Sequence, residues 1–284
     1  MKKIKGYEFI LITIILWSYV PILVRLLLPY ISAESMLFYR FLIAFLVILP
    51  FASITKSVNL TEINSKKLLI YSLLGLLYTG ILYSYIIAIS YTKIANAQFL
   101  QQLAPIYTFI FAHFLLKEHA KSKHYLALIL ALIGGTLILY FDSGFAFGSS
   151  FKGNILALIS GLFLASYTTL SRYLGRTYSE LEATIWAFIF GTIIMSFSVS
   201  NAVSLSLNNW VLLIAMGIFS TALPFLFWVK SLKYIKTQEA SILLLLTTIT
   251  IPILAFLFFN EIPSIGTLIG GTMILIATSI VLKS

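Results

Sequence analysis

The sequence predicts an all-α integral membrane protein whose ten transmembrane helices form two inverted five-helix repeats. Three observations predict it. The residues are 60% hydrophobic and only 10% charged, with a mean hydropathy of +1.03, too little charge to cover the surface of a soluble domain. The apolar residues gather in runs of about 20, the length a helix needs to cross a bilayer. The chain also matches itself at an offset of half its length. Lys5-Gly6 recurs as Lys152-Gly153 and Arg25 as Arg172, and later Tyr91, Lys93, Ala97 and Glu118 recur as Tyr234, Lys236, Ala240 and Glu261. Five crossings per copy is an odd number, so the second copy must enter the bilayer from the opposite side. Inverted repeats of this kind build many secondary transporters, with the substrate site where the copies meet.

The elements follow in order. Helices are expected near residues 7–27, 34–53, 68–90, 94–116 and 123–141 in the first repeat, which spans 1–143. The second repeat, 144–284, supplies helices near 153–174, 180–199, 209–231, 237–259 and 264–282. Each must bond its own backbone, since lipid offers no partner. The third and fourth helices nearly touch across Tyr91-Thr92-Lys93, and the ninth and tenth turn at Asn260-Glu261-Ile262-Pro263. Glycine and serine mark Phe141 to Ser150 as the linker between repeats. Met1 to Lys5 followed by an apolar run resembles the start of a signal peptide. That run carries Trp17 and Tyr19, lacks a small-x-small exit and belongs to the repeat, so it is expected to stay in the protein.

Charge gives the orientation. With the first helix entering from the cytoplasm, fifteen lysines and arginines fall on that side and only Arg25, Arg40, Lys93 and Lys152 on the other. Basic residues favour the cytoplasmic side, so both termini are expected in the cytoplasm of a multi-pass protein of the cell (inner or plasma) membrane. The net charge of +10 comes from short clusters between apolar runs, which points to orientation and not to nucleic acid. Cysteine is absent, which removes disulfides and thiolate metal sites. No cofactor is implied.

Several local patterns carry a resemblance. These are Leu16-Trp17-Ser18 with Arg25 following, Arg40 in the second helix, and Ala95-Asn96-Ala97 leading through Leu103-Ala104-Pro105 to Leu116-Lys117-Glu118. In this two-by-five arrangement the chain resembles the drug/metabolite transporter superfamily, specifically its EamA-type ten-helix carriers. The second half departs from the pattern, with Thr248 where the proline would stand and Pro252 four residues on. The resemblance implies alternating access around a central cavity lined by helices one, three, four, six, eight and nine. It also implies outward transport of small polar metabolites, amino acids foremost. Another metabolite class, such as a sugar derivative or cofactor precursor, and drug efflux are the alternatives. Small multidrug carriers of the superfamily use a glutamate deep in the first helix. Here Trp17 holds that centre, which argues against efflux of lipophilic cations.

The candidate binding residues are polar or aromatic groups inside these spans. Gln98, Gln101 and Gln102 stand at i, i+3 and i+4 and share one helix face. Buried amides need partners, so they either tie helices together or line a wet cavity. Arg40 lies about two turns inside the second helix, a costly place for a charge. It either reaches the interface or Glu34, or faces the cavity as a contact for a carboxylate or phosphate. Tyr78 and Tyr85, seven apart on the third helix, join Trp17 and Trp228 as ring contacts for substrate or as packing. His113 is the histidine expected inside a span, a candidate for proton coupling or an interfacial bond. Pro21, Pro105, Pro224 and Pro252 break the ladders of helices one, four, eight and nine, as hinges or as tolerated kinks. Ala127, Ala131 and Gly135 in helix five, with Gly266 and Gly270 in helix ten, form small faces for a scaffold or protomer contact. The partners expected are a small-molecule substrate and the lipid bilayer, the chain being a monomer or weak homodimer. An intramembrane enzyme would need a converging acid, metal or nucleophile set. The lone aspartate, Asp142, and the loop histidines His119 and His124 offer none.

Overall fold

Apolar side chains point outward along most helices of this chain, and polar ones point inward. Leu126, Ile129, Leu132 and Ile133 are exposed on one helix, and Ile249, Ile253, Phe256 and Leu257 on another, whereas Arg40, Asn96, Asn154 and Thr267 are buried. Helices apolar all round are stable in lipid, where side chains facing the tails lose nothing. The computed structural model of the chain describes residues 2–54, 64–115, 122–143, 149–174, 180–199, 205–231, 234–235, 243–244 and 246–282. The middle of the expected linker (144–148 of 141–150), the start of the ninth helix at 237–242 and the Lys117-Glu118 end of the fourth-helix pattern lie outside them, while residues 141–143 and 149–150 are helical.

The described residues form helices and no strand. These are α1 (Lys2–Ser18), α2 (Val20–Leu27), α3 (Ala33–Ile54), α4 (Ser65–Tyr91), α5 (Ile94–Gln101), α6 (Ala104–Leu115) and α7 (Ser122–Ser143). The later ones are α8 (Ser149–Leu174), α9 (Glu180–Ser196), α10 (Leu207–Gly217), a π-helical turn (Ile218–Ala222), α11 (Leu223–Ser231), α12 (Thr247–Phe259) and α13 (Ile265–Leu282). Joining α1 to α2, α5 to α6 and α10 to α11 gives ten membrane segments among the described residues, as the sequence predicts. Among the described residues five stretches are long and apolar enough to cross a bilayer alone: Ile4–Leu27, Ala33–Ala52, Ser65–Tyr91, Ser150–Leu170 and Leu207–Ser231.

Local chemistry sets the ends. Ser32 Oγ accepts from the Ser35 amide at 3.2 Å, Asn64 Oδ1 from Lys67 at 2.8 Å and Ser264 Oγ from Thr267 at 3.0 Å. Each satisfies an amide that the first helical turn leaves open. Asn260 ends α12 in the left-handed region, with φ of 54°, a conformation asparagine tolerates better than most residues. Glu261 Oε2 then accepts from the Ile94 amide at 2.9 Å, so a carboxylate satisfies the first amide of α5.

The helices gather into two compact units, each built from both halves of the sequence. One comprises residues 1–83 and 171–236, the other residues 84–170 and 237–284. In the first, α3 packs on α9 and α1 on α11. Phe41, Tyr78 and Phe188 form a ring cluster with centroids 5.9–6.0 Å apart. Tyr71 stacks on Trp186 with an interplanar angle of 2°. In the second, α7 packs along α13, and the small face expected on helix ten meets helix five within the chain, Gly266 lying on Phe141 and Gly270 on Gly134. The residues in closest backbone approach are Gly134 and Gly270. A Cβ on Gly134 would lie 2.5 Å from the Gly270 carbonyl oxygen. Gly135, predicted for this face, turns instead toward Leu100 and Leu103.

Replacing Gly270 by valine should therefore separate α7 from α13. Overpacking of this kind costs about 1–3 kcal/mol, so the detergent-solubilised variant should melt several degrees below the parent, while Ile276→Val on the exposed face melts unchanged. Equal melting of all three proteins would show that the glycine pair does not set this contact.

Candidate functional site

The prolines determine where side chains must replace backbone bonding. Pro21 follows the break between α1 and α2 at Tyr19, and Pro105 follows the break between α5 and α6 at residues 102–103. Pro224 follows the π-helical turn, and Pro252 sits inside the continuous helix α12. A proline brings no N–H to its turn. The ring of Pro105 and the side chain of His113 lie outside the described atoms.

In the first unit, the π-helical turn supplies the setting for Arg40. Leu223 donates its amide to the Ile218 carbonyl five residues back, and Thr221 Oγ1 donates to the Met216 carbonyl at 3.0 Å. Single π turns inside α-helices are frequent at functional sites. Arg40, 2% exposed, donates from Nε to Thr221 Oγ1 at 2.7 Å and from Nη2 to the Ser220 carbonyl at 3.4 Å. Ser220 lies four residues before Pro224, where an ordinary helix would receive the missing amide. Arg40 is not paired with Glu34. Its head is buried against the π-helical turn, and Glu34 instead accepts from the Tyr83 hydroxyl at 2.7 Å. Nη1 is buried without a hydrogen-bond partner. Tyr78 stands near enough to interact electrostatically with the guanidinium. Thr13 Oγ1, on α1, shares its one proton between the Phe9 carbonyl at 3.0 Å and the Pro224 carbonyl at 3.2 Å. Trp17 and Trp228 lie beside one another with centroids 6.1 Å apart, both half-buried.

In the second unit, the glutamines divide. The predicted i, i+3, i+4 spacing falls on the last turn of α5, which ends at Gln101, and Gln102, with φ −69°, still donates its amide to the Gln98 carbonyl at 3.2 Å. Pro105 is the physical reason the helix ends there, since it cannot donate to the Gln101 carbonyl. Gly161 on α8 lets this stretch approach closely, and a Cβ there would come within 3.0 Å of that oxygen. Gln98 is buried. Its Oε1 accepts from the Tyr85 hydroxyl at 2.9 Å and its Nε2 donates to Thr247 Oγ1 at 3.4 Å. Gln101 is half-buried and donates to Ser160 Oγ at 2.7 Å, and Gln102 is also half-buried.

A second polar group in this unit was missed from sequence. Thr92 Oγ1 donates to Asn154 Oδ1 at 2.8 Å, Asn96 Nδ2 reaches Thr92 Oγ1 at 3.5 Å, and Thr267 Oγ1 donates to Asn96 Oδ1 at 2.7 Å. Four buried side chains from three long segments of chain are thus joined. The available signal was an asparagine in each of two apolar runs, since a buried amide demands partners. Ser220 and Thr221 were missed as partners of Arg40. Their signal was Pro224, which leaves a carbonyl without its amide. Among the described residues no cluster of histidine and acidic side chains could hold a metal ion.

Comparison with known proteins places this geometry in context. The sequence profile described as the EamA-like transporter family matches residues 4–140 and again 151–283. An uncharacterized transporter of Archaeoglobus fulgidus is 30% identical over 243 residues, 85% of this chain and 83% of that protein. An uncharacterized transporter of Clostridium kluyveri is 27% identical, covering 97% of this chain and 92% of its own length. The pseudopaline exporter of Pseudomonas aeruginosa is 26% identical, covering 74% and 72%. A solved crystal structure superposes with a TM-score of 0.65 at 17% identity, over 98% of this chain and 95% of that one, a likeness of fold.

The two polar groups of the second unit should respond differently to truncation. Asn96→Leu removes the Asn96 Oδ1 acceptor of Thr267 and the Asn96 amide bond to Thr92 from a buried network, and should lower the melting midpoint clearly. Gln101→Ala removes one half-buried bond, worth about 0.6 kcal/mol on average in a membrane, and should shift it little. Melting curves in one detergent test this, and a larger loss from Gln101→Ala would reverse the assignment.

Proposed function

The chain belongs to the EamA-like transporter family, a multi-pass membrane protein that moves small molecules, and from that premise we propose that it exports small polar metabolites, amino acids foremost. The observation that carries the reading is the set of polar groups held inside apolar helices, above all a buried arginine with a donor to spare. A carrier of uncharged lipophilic compounds has no need of such a group, whose burial is costly. In the first unit the rings of Trp17, Trp228 and Tyr78 offer further contacts for a zwitterion; in the second, half-buried Gln101 and Gln102 are candidate contacts by themselves. Gln98 and Tyr85 bond one another and act by holding α4 to α5. The pseudopaline exporter among the relatives supports the outward direction.

Alternating access in this reading follows from the two repeats, residues 1–143 and 144–284, with Pro21, Pro105, Pro224 and Pro252 as flexing points. The termini lie in the cytoplasm and the protein resides in the cell membrane as a monomer or weak homodimer. His113 is the candidate for proton coupling. The chemistry is binding and release, with no bond of the solute made or broken.

Counterflow in liposomes tests the reading. Vesicles loaded with an unlabelled amino acid should take up the labelled one several-fold faster than empty vesicles, and Gln101→Ala with Gln102→Ala should raise the half-saturating concentration. Stimulation by a sugar derivative alone would move the substrate to another class, and uptake insensitive to internal solute would indicate a channel.

A further inference from the structure

Arg40 is held in a way that leaves one part of its charge unused. A guanidinium offers five N–H donors in a planar fork. Nε is committed to Thr221 and Nη2 to Ser220, while Nη1 is enclosed by protein with no hydrogen-bond partner. Among the described residues no carboxylate lies within ion-pair distance of it, the ion pair found being Lys67 with Glu182 at 3.9 Å. Depth adds to the demand. Arg40 is seven residues into α3, about 10 Å along the axis at 1.5 Å per residue, so water at the interface does not relieve it.

The surrounding chain fixes the head and does not neutralise it. Thr221 already donates to Met216, so its oxygen is turned to accept from Nε. The Ser220 carbonyl accepts from Nη2 at the turn that Pro224 leaves short of an amide. Two neutral acceptors orient a cation without cancelling its charge. The repeat gives the arrangement on one side only. The offset that pairs Arg25 with Arg172 sets Ala187 opposite Arg40, and the offset that pairs Tyr91 with Tyr234 sets Thr221 opposite Tyr78. Arg40, Tyr78 and Thr221 thus meet at one place, and the equivalent position of the other repeat has no cation.

We infer that Arg40 is an oxyanion subsite: the Thr221 and Ser220 oxygens hold its guanidinium so that Nη1 is reserved for one negatively charged oxygen of a bound solute. The ligand chemistry is a carboxylate, such as the carboxyl group of an amino acid, or an inorganic phosphate. A charge-assisted N–H···O⁻ bond of this kind is stronger than one between neutral groups and carries geometric selectivity. The inference rests on the transport reading above and narrows its substrates to those with an acidic group. Nη1 is closed off in this conformation, so the subsite becomes accessible when the carrier opens.

Binding to the purified full-length protein, read as ligand-induced shifts in melting midpoint, tests it. The probes are the twenty common amino acids, the carboxamides of those that bind, and inorganic phosphate. Amino acids that stabilise the parent protein should bind at least ten-fold more tightly than their carboxamides. Arg40→Gln should bind acid and carboxamide alike, and Thr221→Val should weaken the acid by a smaller factor while keeping the preference. Stabilisation by phosphate alone supports the oxyanion subsite and removes amino acids as its source. Equal binding of acid and carboxamide to the parent, a preference that survives in Arg40→Gln, or no response of the parent to any probe would overturn the inference. If Arg40→Gln cannot be purified folded, the comparison on the parent and on Thr221→Val decides. Counterflow of a carboxamide at the rate of its acid would remove the subsite and leave the carrier standing, whereas no counterflow of any solute would remove both.

Discussion

Backbone polarity in a medium without water is the constraint from which this structure follows. Every carbonyl must find a donor inside the protein, and each proline within a span removes one. At Pro224 the consequences are all visible. The helix before it widens to a π turn, Thr221 donates to the carbonyl five residues back, and the Ser220 carbonyl takes the guanidinium of Arg40. Thr13 then reaches the Pro224 carbonyl from α1. A defect in one helix has thereby recruited a cation from α3 and a hydroxyl from α1, which ties three segments together.

The two units meet this constraint in different ways. In the second, the chain from Asn154 through Thr92 and Asn96 to Thr267 pairs each buried amide oxygen with a hydroxyl, and Gln98 closes on Tyr85 and Thr247. Neutral groups bonded to one another stabilise helix contacts modestly and carry no surplus charge. In the first unit the central polar group is an ion bonded to neutral oxygens, so its charge is oriented but left over. A closed neutral network is suited to holding helices in register, and an oriented ion to recognising a ligand. Close backbone approach at Gly134 and Gly270 belongs with the first kind, since it gives α7 and α13 a rigid contact without polar side chains.

The sequence by itself determined the all-α membrane class, the ten segments and the family, because twenty-residue apolar runs and a half-length repeat are local or periodic features. Pro21, Pro105 and Pro224 also marked breaks in helices one, four and eight, whereas Pro252, expected to break helix nine, stands inside a continuous helix. The sequence did not show that helix α5 would end at Gln101, before Pro105, because a face read at 3.6 residues per turn assumes the helix runs on. Tertiary structure alone decided the partners. Arg40 meets Thr221 across 181 residues and Asn96 meets Thr267 across 171, distances over which no pattern in the chain registers one side chain against another. Such pairings are chosen when packed helices exclude both lipid and water, and only then does a buried donor distinguish one acceptor from the rest.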